Sequence, residues 1–395
     1  MQIQVAKRLQ HTEEYYFSKK LREIEELNKT GEKVINLGIG SPDLPPHPSV
    51  IETLYQQALM PDTHAYQNYR GILPLRVAIA DWYSRFYFVS LDPNTNVLPL
   101  IGSKEGIVHI CMTYLAEGDE ALFPNPGYPA YAAAIRLSGA TGVPYLLSAE
   151  NGWLPDLDAL AKTDLSRVKL MWLNYPHMPT GAAANTSFFK EVVQFAKQHH
   201  ILLCHDNPYS FILNEQPQSL MAVEGAIEVA VELNSLSKSS NMAGWRVGML
   251  IAAESRINEI VRFKSNMDSG MFLPVQMAAA KALALGPEWY QELNSTYQSR
   301  REQVYKLLDM LGCNYDRQQV GLFVWAKIPS QYPDGYALSD EILHQARVFI
   351  TPGGIFGTAG NGYVRVSLCA TEETLNQACE RIARSGAMTN RSSTS

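Results

Sequence analysis

Short apolar runs alternate with helical patterns along most of this chain. The runs VLPLIG, KLMWLNYP and HILLCHDNPY each end in a loop of polar or small residues. Near-continuous apolar strands separated by helices are typical of a mostly parallel sheet that is covered by helices on both faces. The pattern therefore predicts an α/β fold. In such a sheet, ligands bind at the carboxyl ends of the strands, which is where these polar loops fall.

The length and composition indicate more than one packed unit. The chain has 395 residues, of which 46% are hydrophobic and 18% are charged, so it has ample material for a globular core. Strand-like runs such as GLFVWAKIP and GYVRVSLCA follow two long helical patterns near the C-terminus. We expect an N-terminal segment at 1–48, a large domain at 49–280, a smaller α+β domain at 281–387 and a disordered tail at 388–395.

Charge and cysteine usage argue against several classes of protein. The net charge is −6 and no long run of like charge occurs, so we expect neither nucleic acid nor an anionic membrane as a partner. No apolar stretch is long enough to cross a bilayer. The five cysteines form no CxxC pair and the histidines form no HExxH motif. We therefore expect reduced thiols, no metal site and a cytoplasmic location.

The segment SLSKSSNMAGWRVG has the residue types of a phosphate site. Ser235 and Ser237 supply hydroxyls, and Arg246 supplies a planar donor fork that matches phosphate oxygens. The segment GSKEG places Ser103 and backbone N–H groups at the start of a predicted helix, which is a second anion-binding feature. The chain has no Walker A loop, so a small phosphate ester is favoured over a nucleotide.

Lys238 lies within the same segment and indicates that the ligand also carries a carbonyl group. A lysine in a closed site can form a Schiff base with a carbonyl group, and pyridoxal phosphate is the cofactor that joins a phosphate to an aldehyde. Its pyridine nitrogen must stay protonated, which requires a carboxylate. Asp206 follows the strand ILLCHD and suits this role, Tyr209 could reach the phenolic oxygen, and Tyr128 in NPGYPAY could stack on the ring.

The motifs together resemble those of the class I/II aminotransferases of pyridoxal-phosphate fold type I. NLGIGSPD, NPGYPAY, YPHMPTG, DNPY, SLSKSSNMAGWRVG and YVRVS occur in the family's order over nearly the whole chain. The segment SNMDSGMFLPVQ and the N-terminal YYF are similar to the LL-diaminopimelate aminotransferase-like subgroup. The resemblance implies a large domain with a mostly parallel seven-stranded sheet between helices, and a smaller α+β domain.

The resemblance also implies a role for each matching residue. Lys238 matches the Schiff-base lysine that moves the substrate α-proton, Asp206 the partner of the pyridine nitrogen, and Tyr209 the donor to the phenolic oxygen. Tyr128 matches the stacking aromatic ring, and Arg365 in YVRVS matches the arginine that binds the substrate α-carboxylate. The residues that match the phosphate-binding positions are Ser103, Lys104, Ser235, Ser237 and Arg246.

Further positions match the parts of the family site that lie toward the substrate or the second subunit. Tyr66 matches a tyrosine that reaches the phosphate of the neighbouring subunit, which implies a homodimer with shared active sites. Tyr15, Gly40 and Asn266 match substrate-side positions. These residues complete the site that the resemblance predicts.

Met178 departs from the family pattern. The family's NPTG motif places an asparagine against the phenolic oxygen of the cofactor, whereas this chain reads HMPTG. A thioether cannot donate a hydrogen bond, so this change should destabilise the cofactor phenolate. Asn174 or His177 could compensate. We expect Met178 to tune or weaken the reaction without changing its type.

The implied activity is transfer of an amino group from an L-amino acid to a 2-oxo acid, with 2-oxoglutarate the expected acceptor, by a ping-pong Schiff-base mechanism. The segment SNMDSGMFLPVQ contains no arginine for a distal carboxylate, which disfavours strict aspartate specificity. The candidate donors are LL-diaminopimelate and aromatic, methionine or other neutral amino acids. A carbon–sulfur β-lyase and an inactive cofactor-binding protein remain as alternatives, since both would keep the cofactor residues.

Overall fold

The computed structural model describes residues 3–10 and 16–385 of the chain. The predicted tail at 388–395 lies outside these residues. The strands are β1 (Ile35–Asn36), β2 (Val97–Leu100), β3 (Glu120–Asn125), β4 (Thr141–Leu146), β5 (Val168–Asn174), β6 (Leu202–Asp206), β7 (Ala230–Ser235), β8 (Gly248–Ile251), β9 (Asn314–Tyr315), β10 (Phe323–Lys327), β11 (Val348–Phe349), β12 (Thr351–Pro352) and β13 (Tyr363–Ser367).

Helices connect most of these strands. They are α1 (Lys7–Gln10), α2 (Tyr16–Lys29), α3 (Pro48–Ala58), α4 (Leu73–Tyr87), α5 (Ser103–Tyr114), α6 (Pro129–Leu137), α7 (Leu157–Leu160), α8 (Thr186–His199), α9 (Ala226–Val229), α10 (Leu236–Ser239), α11 (Glu254–Lys264), α12 (Leu273–Leu283), α13 (Pro287–Met310), α14 (Gly335–Ala346) and α15 (Glu372–Ser385). Several begin at residues suited to a helix start. Asn185 accepts the Phe188 N–H at 2.8 Å before α8, and proline opens α3, α6 and α13.

The largest sheet has the strand order β2-β8-β7-β6-β5-β3-β4. The five strands from β7 to β4 are mutually parallel, while β8 runs antiparallel between β7 and β2. The prediction of a mostly parallel seven-stranded sheet is therefore confirmed. Asn174 pairs with Asp206 across β5 and β6, so the polar residues that follow these strands meet at one edge of the sheet.

Both faces of this sheet are covered. Met171 and Leu173 of β5 pack into the apolar cluster that contains the residues of α8, whereas Leu170 and Trp172 pack into the cluster that contains those of α5. This alternation follows from the pleat of a strand, which turns successive side chains to opposite faces. Burial on both faces explains why the central strands are apolar along their whole length.

Part of one predicted strand is a helix instead. The apolar run AIEVAVELN, which follows the same pattern as the other strand-like runs and predicts a strand, has its first four residues in α9, and β7 begins only at Ala230. Strand β7 pairs with β6 only from Ala230 to Leu233, so the residues before Ala230 have no strand partner in β6. Strand β8 was not singled out from the sequence.

A second set of strands forms the smaller α+β part. The sheet β12-β13-β10-β9 is antiparallel, and α13, α14 and α15 supply much of the apolar cluster beside it. Strand β1 near the N-terminus joins this part, because Ile35 pairs with Val348 of β11. The domain boundaries at residues 48, 280 and 387 remain a prediction.

Within residues 3–10 and 16–385, no helix combines the length and the apolar character that crossing a membrane requires.

Candidate active site

A cavity of about 500 Å³ lies at the carboxyl ends of the central strands. The large sheet contributes Asp206, and the smaller sheet contributes Phe323 and Arg365, so both parts of the fold build the cavity. Most of the predicted site residues line it. They are Gly40, Ser103, Lys104, Tyr128, Met178, Asp206, Tyr209, Ser235, Ser237, Lys238, Arg246 and Arg365.

Two predicted residues lie away from this cavity in the described subunit, and the position of a third is not described. Tyr15 lies outside the described residues. Tyr66 is 92% exposed, and its predicted role requires a second subunit. Asn266 is also exposed, because its amide donates back to the Arg262 carbonyl at 2.8 Å instead of turning inward. The roles of all three stay predictions.

Lys238 lies in the single turn of helix α10, directly after strand β7. The turn is held by Ser235, whose hydroxyl accepts the Ser237 N–H at 3.1 Å. The Lys238 Nζ atom donates to the Gly40 carbonyl across the cavity. Burial lowers the pKa of this lysine, and the positive charges of Arg365 and Arg246 lower it further. A lowered pKa increases the fraction of neutral amine, which is the nucleophilic form.

Hydroxyls and cations gather at one end of the cavity. Ser103 is the first residue of α5, whose opening N–H groups have no partner within the helix. The guanidinium of Arg246 is fixed by the Ala243 carbonyl at 2.8 Å. A side chain at Gly102 would collide with this guanidinium, so the glycine allows the arginine to approach the helix start. Together with the exposed Lys104, these groups form an anion-binding end.

Asp206 ends strand β6 and is 4% exposed. Its Oδ2 atom accepts the hydroxyl of Tyr131 at 2.8 Å, whereas Oδ1 has no hydrogen-bond partner among the described residues. Burial raises the pKa of Asp206 to about 6, and the hydrogen bond from Tyr131 lowers it. A buried carboxylate oxygen without a partner needs a donor from a ligand. A protonated ring nitrogen would fit this requirement.

Tyr131 was missed by the sequence reasoning, although it belongs to the quoted motif NPGYPAY. It lies three residues after Tyr128, which directly precedes helix α6, and it stacks on Trp172 with ring centroids 5.0 Å apart. Its spacing of three residues from Tyr128 could have indicated that the two rings are neighbours. Only the pairing with Asp206, 75 positions away, gives this tyrosine its role.

Tyr209 and Tyr128 supply the aromatic wall of the cavity. Burial raises the pKa of Tyr209, so its phenol stays protonated and can donate a hydrogen bond. Its ring meets Phe323 edge-to-face with centroids 6.0 Å apart. The ring of Tyr128 meets Tyr131 in the same way at 5.6 Å. Two aromatic residues therefore border the space above Asp206.

Arg365 is held between two aromatic rings. Its guanidinium carbon lies 3.8 Å from the centroid of Phe323 and 4.6 Å from that of Phe356. One nitrogen donates to the Gly38 carbonyl at 2.8 Å, and the other lies 3.1 Å from the sulfur of Met178. The rings stabilise the cation and fix its plane. Such a guanidinium is prepared for bidentate binding of a carboxylate.

Met178 is buried, and both residues that could compensate for the missing asparagine have hydrogen-bond partners within the chain. The amide of Asn174 accepts the Met178 N–H at 2.8 Å and donates to the Asp206 carbonyl at 2.7 Å, so it holds the backbone. His177 bonds Thr180 at 2.8 Å and does not line the cavity. Burial lowers the pKa of His177 to about 3, so this histidine is neutral.

Comparison with known proteins agrees with this geometry. Residues 32–382 match the family described as aminotransferase class I and II. The chain belongs to this family. It is 40% identical over 383 residues to the LL-diaminopimelate aminotransferase of Dehalococcoides mccartyi strain CBDB1, covering 96% of this chain and 98% of that protein. The enzyme of the same name from Moorella thermoacetica is also 40% identical, over 384 residues and with 97% and 98% coverage.

A solved structure extends the match to three dimensions. The substrate-bound structure of BacF from Bacillus subtilis superimposes with a TM-score of 0.91 at 37% identity, covering 97% of this chain and 98% of that chain. The predicted family, its LL-diaminopimelate aminotransferase-like subgroup and fold type I are confirmed. The protein is thus an aminotransferase, and membership of the family implies pyridoxal phosphate as cofactor.

Proposed function

We propose that the cavity binds pyridoxal 5'-phosphate and that the protein transfers the amino group of an L-amino acid to a 2-oxo acid. The observation that carries the proposal is the unpartnered Oδ1 of Asp206, buried in the cavity that Lys238 also lines. The anion-binding end with Arg246 would take the phosphate, and Asp206 would hold the pyridine nitrogen. Tyr209 would donate to the phenolic oxygen, and Tyr128 would stack on the ring.

The bound cofactor supplies an electron sink for the charge that develops when the substrate loses its α-proton. The chain supplies the proton transfer and the orientation. Lys238 would hold the cofactor through its amine, whose nucleophilic neutral form the lowered pKa favours, and would serve as the base that moves the α-proton. Asp206 keeps the pyridine nitrogen protonated, because a buried carboxylate favours a positive charge beside it.

Arg365 orients the substrate. Its planar fork would bind the α-carboxylate, so that the α-carbon lies within reach of the Lys238 amine. The contact of Lys238 with the Gly40 carbonyl supports Gly40 as a residue at the substrate side. The rings of Phe323 and Phe356 limit the motion of the guanidinium, which lowers the entropy lost on binding.

LL-diaminopimelate is the first donor to test, since it is the substrate named in the relatives that share 40% identity over nearly the whole chain. We propose 2-oxoglutarate as the acceptor. We also propose a homodimer in which Tyr66 reaches the neighbouring subunit, because Tyr66 matches the family's tyrosine with this role and its side chain is 92% exposed on one subunit. The free cysteines support a cytoplasmic location.

The decisive experiment is the visible spectrum of the protein loaded with pyridoxal phosphate, before and after adding single amino acids. LL-diaminopimelate, aromatic amino acids and methionine form the panel, and Lys238→Ala is the control. We expect a yellow band that one donor converts to the pyridoxamine form, followed by recovery with 2-oxoglutarate. A band that no amino acid changes would contradict the transfer activity. Release of pyruvate and ammonia from an S-substituted cysteine, tested alongside the panel, would instead identify a carbon–sulfur β-lyase.

A further inference from the structure

His205 and Glu232 form a fully buried pair directly behind the cavity. They lie opposite each other on the parallel strands β6 and β7, and both side chains are 0% exposed. His205 Nδ1 lies 2.8 Å from Glu232 Oε2. The pair is on the face of the sheet opposite to the Asp206 carboxyl, because successive residues of a strand face opposite sides.

The surroundings of Glu232 fix its charge. Its Oε1 atom accepts the hydroxyls of Tyr83 at 2.8 Å and Ser219 at 2.7 Å, and its Oε2 atom accepts the Leu220 N–H at 2.9 Å. The Ser219 oxygen is itself an acceptor for the Met221 N–H at 3.1 Å, so its proton is directed to Glu232. Three donors around one carboxyl group favour the ionised form.

The hydrogen-bond partners of His205 indicate that both of its ring nitrogens carry a proton. Its Nε2 atom lies 3.0 Å from the Tyr175 carbonyl oxygen, which can only accept a hydrogen bond, so this nitrogen carries a proton. Its Nδ1 atom faces an ionised carboxylate, so it carries a proton as well. A ring with two protonated nitrogens is an imidazolium cation. Phe189 packs edge-on against it, with ring centroids 5.2 Å apart.

We propose that His205 is a buried imidazolium, held in that form by Glu232, and that it acts as a positioning residue that keeps the adjacent Asp206 ionised and oriented toward the cofactor. The positive charge of His205 acts against the burial that favours a protonated Asp206. The hydrogen bond to the Tyr175 carbonyl also ties strand β6 to the loop that carries Met178. The part of the inference that concerns the cofactor rests on the proposed function.

The charge of His205 can be tested without the cofactor by nitrogen NMR of the histidine rings in the full chain. The chain has nine histidines, and His205→Gln identifies the signal in question. We expect both ring nitrogens of His205 to show the protonated shift at pH 8, because each faces an oxygen that accepts a hydrogen bond. A neutral ring at pH 8 would overturn the proposal, whether or not the protein binds pyridoxal phosphate.

The effect on Asp206 is tested with pyridoxal phosphate labelled at the pyridine nitrogen. In His205→Gln and Glu232→Gln, we expect this nitrogen to lose its proton at a lower pH and kcat to fall about tenfold, corresponding to about one pKa unit. KM for the donor should change little. Phe189→Leu is the matched control, because it disturbs the packing of the ring without removing charge, and it should leave the nitrogen signal unchanged.

The outcomes separate the alternatives. If His205→Gln and Glu232→Gln bind the cofactor with the wild-type nitrogen signal and kcat, the pair is only structural and the proposal is wrong. If Phe189→Leu shifts the nitrogen signal as much as the charge variants do, packing explains the effect. If His205→Gln does not fold, Glu232→Gln decides, because the ring signal that changes in this variant identifies the histidine bonded to Glu232. Failure of the wild-type protein to bind pyridoxal phosphate would count against the proposed function alone.

Discussion

Replacing Met178 by asparagine restores the residue that the family places against the phenolic oxygen of the cofactor. Met178 lines the cavity together with Tyr209, and it cannot donate a hydrogen bond. A donor to an ionised oxygen stabilises it by about 1.5–3 kcal/mol. This equals about one to two pKa units. We therefore expect the pH at which the bound cofactor changes its visible absorption to fall by about that amount.

The same substitution has costs elsewhere. The buried thioether contacts Arg365 at 3.1 Å, and an amide whose polar atoms stay partly unpaired costs roughly 1–3 kcal/mol of folding free energy. Met178→Leu is the matched control, since it keeps the volume and removes the sulfur without adding a donor. A spectrophotometric pH titration, with kcat and KM for the best donor, measures both effects.

Each result has a distinct meaning. A fall in the transition pH for Met178→Asn but not for Met178→Leu would show that a missing donor, and not the shape of the side chain, sets the absorption change. If Met178→Asn leaves both the transition pH and the turnover at their wild-type values, the reasoning is wrong. Urea unfolding of both variants separates a local effect from loss of the folded state.

Three further changes test the rest of the site. Lys238→Ala should lower turnover by roughly 10²–10⁴-fold or more, measured in single-turnover experiments with the loaded protein; near wild-type rates would refute its role. Arg365→Lys keeps the charge but loses the fork, so KM for the donor should rise about 10–100-fold with an unchanged cofactor spectrum. Burial raises the pKa of Asp206 in the folded chain to about 6. Between about pH 4 and 6, the folded chain therefore keeps a proton on Asp206 that the unfolded chain has released. Above this pH range, the buried carboxylate lowers the stability of the folded chain. Without cofactor, Asp206→Asn should therefore raise the free energy of unfolding at pH 7 by on the order of 2–3 kcal/mol, and equal stability in urea would contradict this.

The sequence was most informative where local pattern and chemistry coincide. Apolar runs such as KLMWLN predict buried strands, and in a parallel sheet the residues after such strands meet at one edge. The sequence alone therefore predicts that Asp206 and Lys238 lie in one site, and both line the cavity. Helix α9 was missed, because a four-residue turn and a strand of similar composition have no distinguishing period.

Contacts between distant segments could not be predicted in this way. The hydrogen bond from Tyr131 to Asp206 spans 75 positions, and the contact of Met178 with Arg365 spans 187. The cage of Phe323 and Phe356 depends on how the smaller sheet packs against the larger one. Such contacts follow from tertiary packing. Residue spacing and secondary-structure propensity along the chain do not predict them.

The charges of the cavity couple ligand binding to the strength of the base. Among the described residues that line it, Asp206 is the only carboxylate, whereas the cations are Lys104, Lys238, Arg246 and Arg365. The charges of Arg246 and Arg365 both lower the pKa of Lys238. A phosphate bound at Arg246 and a carboxylate bound at Arg365 would offset these charges, so the amine of Lys238 would become more basic. The empty cavity therefore favours the neutral, nucleophilic amine of Lys238, and binding of both anions would make this amine a stronger base for the α-proton.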